Sequence, residues 1–141
     1  MQALIIDDSR AMRRILKTIV EPLGFTTVEA GNGREGLEQL AANPDLDLAL
    51  VDWNMPEMNG LEFVQAVRAN PEHSDLKLVM VTTETEPARM ARALMAGVDE
   101  FVMKPFTPQI LLDKLQLIGV STTSHPQAAV GSAATGRANL I

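Results

Sequence analysis

The chain of 141 residues contains no cysteine. That excludes a disulfide framework, a thiolate metal site and a thiol nucleophile, and it fits a reducing compartment. No apolar run approaches the roughly 20 residues that a membrane-spanning helix needs. The N-terminus also lacks the charged-then-apolar pattern of a secretory signal, so a cytoplasmic protein with no membrane partner is the expectation. A basic excess is missing too. Twelve Lys and Arg against eighteen Asp and Glu leave a net charge of −6, whereas a nucleic-acid surface needs a basic face, so no nucleic-acid partner is expected. Internal repeats and Gly-rich phosphate loops are absent as well. What remains is one domain's length of sequence, enough to bury a core of its own.

The apolar residues come in two alternating patterns. Short buried-type runs at Ala3-Leu4-Ile5-Ile6, Leu48-Ala49-Leu50-Val51, Leu78-Val79-Met80-Val81 and Phe101-Val102-Met103, with the β-branched stretch Thr26-Thr27-Val28, predict five strands. Between and after them the period lengthens to that of helices. Met12, Ile15, Leu16, Ile19 and Leu23 mark the first helix, capped by Asp8 or Ser9, and Leu37, Leu40 and Ala41 the second. Phe63, Val64 and Val67 predict a helix over 61–69. Met90, Ala91, Leu94 and Met95 are expected to face inward from a helix that Pro87 opens and Gly97 closes. Ile110, Leu111, Leu115 and Ile118 predict a last helix over 107–118, and residues 71–75 read as loop. The eight methionines are expected to fill the core.

Five strands alternating with five helices give an α/β class: a doubly wound, five-stranded parallel sheet with helices on both faces. Residues 1–119 form the expected domain. From 120 to 141 the composition turns to Ser, Thr, Ala, Gly and Gln, with little to bury, and a disordered tail is expected there.

Four strands end in groups suited to phosphate chemistry: Asp7 and Asp8, Asp52, Thr82 and Lys104. In a doubly wound sheet the carboxyl ends of the strands converge on one edge, where such folds place their ligands. Three carboxylates gathered there repel one another unless a cation is supplied, and an all-oxygen acidic pocket suits Mg²⁺. Lys104 supplies a compact positive charge for a phosphoryl oxygen and Thr82 a hydroxyl donor. Metal, ammonium and hydroxyl grouped around one carboxylate can stabilise a phosphoryl group in transfer, which makes Asp52, lying between the others, the natural nucleophile. Singly, each residue is equally a cap, a turn residue or a surface charge. Their coincidence at successive strand ends carries the reading.

Asp7-Asp8, Asp52-Trp53-Asn54-Met55-Pro56 with Gly60, Thr82-Thr83-Glu84 and Lys104-Pro105-Phe106 resemble the motifs of the receiver domains of two-component response regulators, most closely the stand-alone chemotaxis receivers. The resemblance runs from Ala3 to about Ile118. It implies the strand order 2-1-3-4-5, which belongs to that family's fold and is carried over with it. It implies that Asp52 accepts a phosphoryl group from a histidine kinase. Mg²⁺ would be held by Asp8, Asp52 and the backbone carbonyl of Asn54, with Asp7 helping through water. Thr82 and Lys104 would bind phosphoryl oxygens, Lys104-Pro105 would be a cis peptide, and Asn54 and Glu84 match the positions that tune self-dephosphorylation. Thr82 and Phe101 would form the switch, the Phe101 ring lying mobile or outward without phosphate and turning inward with it. Two departures stand out: Thr83 replaces a smaller Ala and is expected to crowd the site, and Phe101 replaces a Tyr and so has no hydroxyl.

The expectation is a monomeric, single-domain response regulator. Its output is a protein contact on the face formed by the fourth helix, fifth strand and fifth helix, with chemotaxis as the process or else a shuttle in a phosphorelay. The rival from the enzyme class is a Mg²⁺-dependent aspartyl phosphohydrolase. Those of the haloacid dehalogenase type place a second Asp two residues beyond the nucleophile as general acid. Here that position holds Asn54, which has no such proton to give. A receiver-like module that is never phosphorylated is the third reading. Such modules usually lose an acidic or Lys position, and this chain keeps them all.

Overall fold

The computed structural model describes residues 1–120. Strands β1 (Gln2–Ile6), β2 (Thr26–Ala30), β3 (Leu48–Val51), β4 (Lys77–Thr82) and β5 (Glu100–Met103) alternate with helices α1 (Arg10–Val20), α2 (Gly33–Ala42), α3 (Gly60–Arg68), α4 (Pro87–Ala96) and α5 (Pro108–Leu117). The strands pair in parallel in the order β2-β1-β3-β4-β5, as expected.

Successive residues of a strand face opposite sides of a sheet, and the core divides accordingly. Leu4, Ile6, Ala49, Val51, Leu78 and Met80 pack on one side with Phe63, Val64, Val67 and Ala93 of α3 and α4. Ala3, Ile5, Leu48, Leu50, Val79 and Val81 pack on the other with Leu16, Val20, Leu111 and Leu115 of α1 and α5. Both faces of the central strands are thus dry, which is why those strands read as unbroken apolar runs.

Local signals set the element boundaries. The Ser9 hydroxyl caps α1 by accepting from the Met12 N–H at 3.1 Å. Asn59 and Glu62 form a reciprocal capping box at the start of α3. Pro87 and Pro108 occupy first turns, and Gly97, at φ 117°, closes α4 in the left-handed region. The stretch read as loop over 71–75 contains a 3-10 turn at Pro71–His73, and Pro22 lies in another at Glu21–Leu23, just past α1.

Three expectations need correction. In α4 only Ala93 is fully buried; Leu94 is 52% and Met95 88% exposed, Ala91 is exposed and Met90 half-buried. Seven of the ten positions of this helix are Ala, Met or Leu, so more than one apolar stripe can be drawn, and packing selects the one that buries Ala93. In α1, Ile15 is 48% exposed, outside the stripe that Leu16 and Val20 bury, and in α5 Ile110 is likewise exposed, outside the stripe of Leu111 and Leu115. The methionines fill the core in part: Met80 is fully buried and Met12, Met55, Met58 and Met90 pack half-buried against the core, whereas Met1 and Met95 are exposed. At the C-terminal end Val120 is buried against the α1/α5 side of the sheet, so packing extends one residue past the expected boundary. The rest of the expected tail, 121–141, lies outside the described residues.

Candidate functional site

β1 and β3 lie side by side in register, Ile6 opposite Val51, so the residues that follow each strand emerge together. One carboxylate oxygen from each of Asp7, Asp8 and Asp52 falls within 4.8 Å of the others. Asp7 is 1% and Asp52 9% exposed, while Asp8 opens to solvent. β5 brings Lys104 to the same edge. Its Nζ lies 2.8 Å from Asp7 Oδ2 and 3.4 Å from Asp52 Oδ2, and the Lys104-Pro105 peptide is cis, as the resemblance implied. Thr82, at the end of β4, is fully buried.

Further hydrogen bonds fix the geometry. Asp7 Oδ1 accepts from the Ser9 N–H at 2.8 Å, so both Asp7 oxygens are engaged. Arg13 donates to the Asp7 carbonyl and forms an ion pair with Glu29 at 2.9 Å, pinning the β1–α1 turn from below. Asp52 Oδ1 accepts from the Trp53 N–H at 2.7 Å, which leaves Oδ2 facing Lys104. The Thr82 oxygen accepts from the Glu84 N–H at 3.2 Å, leaving its own hydrogen free to donate elsewhere.

The donor set fits a hard cation. The Lys104 ammonium pairs with two of the three carboxylates and leaves Asp8 unmatched by it, so an excess of negative charge on oxygen remains, the surroundings that suit Mg²⁺.

Other expected site residues lie further out. Asn54 and Thr83 are exposed, so both stand on the solvent side of the site. Glu84 turns toward α4: its Oε2 accepts from the Glu86 N–H at 3.0 Å and its Oε1 pairs with Arg89 at 3.1 Å. The Glu86 N–H, with Arg89 adding to it and desolvation opposing, holds the Glu84 carboxyl below its usual range. Phe101 is only 7% exposed and packs with Ala93 and Met80 on the α3/α4 side. The ring is therefore turned inward in this structure.

Arg89 and the closeness of Gly60 were not found from sequence. Arg89 is five residues from Glu84, a spacing with no helical meaning because Glu84 precedes the helix. In the sequence Gly60 stands out only as part of a motif. A Cβ there would run into the Asp52 carbonyl oxygen and press on Trp53 Cα, so the absence of a side chain is what lets α3 start directly beneath the loop that carries Asp52.

A parallel sheet in this order, with an acidic cluster and a lysine at the carboxyl edge, defines a phosphate-signalling receiver class. The chain belongs to the response regulator receiver domain family, whose model matches residues 3–116. It is 46% identical over 119 residues to chemotaxis protein CheY1 of Helicobacter pylori, covering 84% of this chain and 96% of that one. It is 48% identical over 117 residues to a chemotaxis protein CheY homolog of Campylobacter jejuni, covering 82% and 90%. Among solved structures, chemotaxis protein CheY4 of Vibrio cholerae superposes with a TM-score of 0.77 at 33% identity, over 83% of this chain and 97% of that one. The protein is thus a receiver of the CheY type, a signalling protein.

Proposed function

We propose that Asp52 is the phosphoacceptor of a Mg²⁺-dependent switch loaded by a histidine kinase. The observation that carries the proposal is the convergence of three carboxylates and the Lys104 ammonium on one carboxyl edge of the sheet. In the transfer, an Asp52 oxygen bonds to phosphorus as the donor's P–N bond to histidine breaks. Asp8, Asp52 and the Asn54 carbonyl would hold Mg²⁺. Asp7, whose two oxygens already serve Ser9 and Lys104, would act through water. The metal, when bound, neutralises charge on the phosphoryl oxygens. The Lys104 ammonium is released from its shared position between Asp7 and Asp52 to pair with a phosphoryl oxygen, and the Thr82 hydroxyl donates to another.

The output is a protein contact on the face made by α4, β5 and α5, where Leu94 and Met95 already stand exposed. The names of the relatives support chemotaxis as the process. The protein acts in the cytoplasm as a monomer, and no helix among the described residues is long and apolar enough to cross a membrane.

Incubation with acetyl phosphate and Mg²⁺, followed by intact-mass measurement, tests the reading. One base-labile phosphoryl group is expected, and none when Mg²⁺ is chelated. Sustained release of phosphate from a range of phosphomonoesters would point instead to a phosphohydrolase. Trp53, the only Trp in the chain, donates its N–H to Asp52, so its fluorescence should respond to Mg²⁺, and Asp8→Ala should weaken that response. Fluorescence and calorimetric titrations that are both flat would count against a metal site.

A further inference from the structure

The β4–α4 loop forms a chain of contacts that leads out of the phosphoryl site. The Glu84 N–H binds the Thr82 oxygen at 3.2 Å, the Glu84 carboxylate takes the Glu86 N–H at 3.0 Å, and its other oxygen pairs with Arg89 at 3.1 Å. Only 12% of the Glu84 side chain is exposed, whereas Arg89 is 49% exposed in the first turns of α4. Glu84 is thus a carboxylate two residues beyond a buried site hydroxyl, with both oxygens committed to the helix that follows. The helix itself is lightly seated, with Ala93 its one fully buried residue.

We propose that Arg89 is a positioning residue that latches Glu84 onto the start of α4 and so lengthens the lifetime of the phosphorylated state. This rests on the reading of Asp52 as phosphoacceptor and adds a regulation of the same site. An unlatched Glu84 carboxylate, two residues beyond the Thr82 hydroxyl, can swing toward the phosphoryl group, accept a hydrogen bond from water and orient it for attack at phosphorus. The attack forms a bond from water oxygen to phosphorus, breaks the bond from Asp52 to phosphorus, and releases inorganic phosphate, which carries away both water protons, with the Asp52 carboxylate restored. While Arg89 and the Glu86 N–H hold both oxygens, that water is poorly oriented. The lifetime then depends on where α4 sits, because Arg89 travels with the helix, and a partner that moves the first turn of α4 changes the rate of resetting. Arg92, one turn further along, lines the same α3/α4 groove and is also exposed, while the Glu84 carboxylate pairs with Arg89. It serves as the charge-matched control.

The test loads the full chain with acetyl phosphate and Mg²⁺, removes the donor, and follows the decay of the phosphorylated form by intact mass. Arg89→Ala should shorten the lifetime about threefold, the scale of one exposed ion pair, while loading to the same extent as wild type. Arg92→Ala should leave the decay unchanged, and Arg89→Lys should restore most of the lifetime. In a Glu84→Gln background, Arg89→Ala should have no further effect, since the two residues act as one unit. A chain that loads normally but decays at the wild-type rate in Arg89→Ala overturns the latch alone. So does the same acceleration in the Glu84→Gln background. A wild-type chain that takes up no phosphoryl group overturns the phosphoacceptor reading and the latch with it.

Discussion

The Phe101 ring is 7% exposed, packed in the layer that also holds Met80, Trp53 and Ala93. Its partner across the strands is Met80, and Glu100 beside it pairs with Lys114 of α5 at 3.4 Å. With no hydroxyl to reach solvent, nothing offsets the gain from burying the ring, so the inward position is the one packing favours. The sequence pointed to the position and not to its orientation, because orientation depends on how closely α4 approaches β5. Phe101→Ala should lower stability by about 3 kcal/mol, as large-to-small changes of buried aromatics do, seen as a reduced urea midpoint. A midpoint equal to wild type would mean that the ring is not part of the core. Phe101→Leu, which keeps most of the apolar volume, is the better variant for asking whether the ring also transmits the switch.

At the scale of elements, the β3–α3 junction and α4 contrast. Asp52 is held by the Trp53 N–H, and the Gly60 N–H returns to the Trp53 carbonyl at 2.9 Å, folding the intervening loop tightly over Gly60. Gly60→Ala would push the Asp52 carbonyl away. It should cost about 2 kcal/mol, within the range for overpacking, and slow loading from acetyl phosphate. Loading and stability both at wild-type level would show that the junction yields without cost. The β3 run was fully legible in the sequence because both of its faces are buried, which leaves no choice of stripe. The inward face of α4 was not, because Met90, Ala91, Ala93, Leu94 and Met95 offer overlapping stripes and only the packing selects Ala93. A helix with one fully buried residue opens locally at low cost. The α4 amides should therefore exchange with solvent faster than those of β1 and β3, whose Leu4, Ile5 and Leu50 are completely buried. Equal protection across these elements would contradict a lightly seated α4.

Across the whole molecule, the two edges of the sheet do different work. The carboxyl edge gathers the ionic site; at the opposite end Arg68 fastens the chain. Its guanidinium donates to the carbonyls of Gly97 at 3.0 Å, His73 at 2.9 Å and Leu76 at 2.7 Å, and it pairs with Asp99 at 3.1 Å. This ties the end of α3 to the entrance of β4 and the end of α4. Arg68→Ala strands several partly buried acceptors and should cost about 2 kcal/mol. Arg68→Lys should recover little, because one ammonium cannot reproduce the fork. Strand-end motifs made the carboxyl edge readable from sequence. The Arg68 clasp was not, because all but one of its partners are backbone carbonyls, which leave no mark in residue identity, and Asp99 lies 31 residues away in the chain.

The central claim is that the carboxyl edge exists to phosphorylate Asp52. The most direct measurement loads the protein with acetyl phosphate and Mg²⁺, traps the acyl phosphate by borohydride reduction, and maps the modified residue by peptide mass spectrometry. The claim predicts that the reduced side chain is found at residue 52 alone, and that Asp52→Asn, whose amide is no nucleophile, yields none. Modification at Asp7 or Asp8 in the wild-type chain, or undiminished modification in Asp52→Asn, would contradict it.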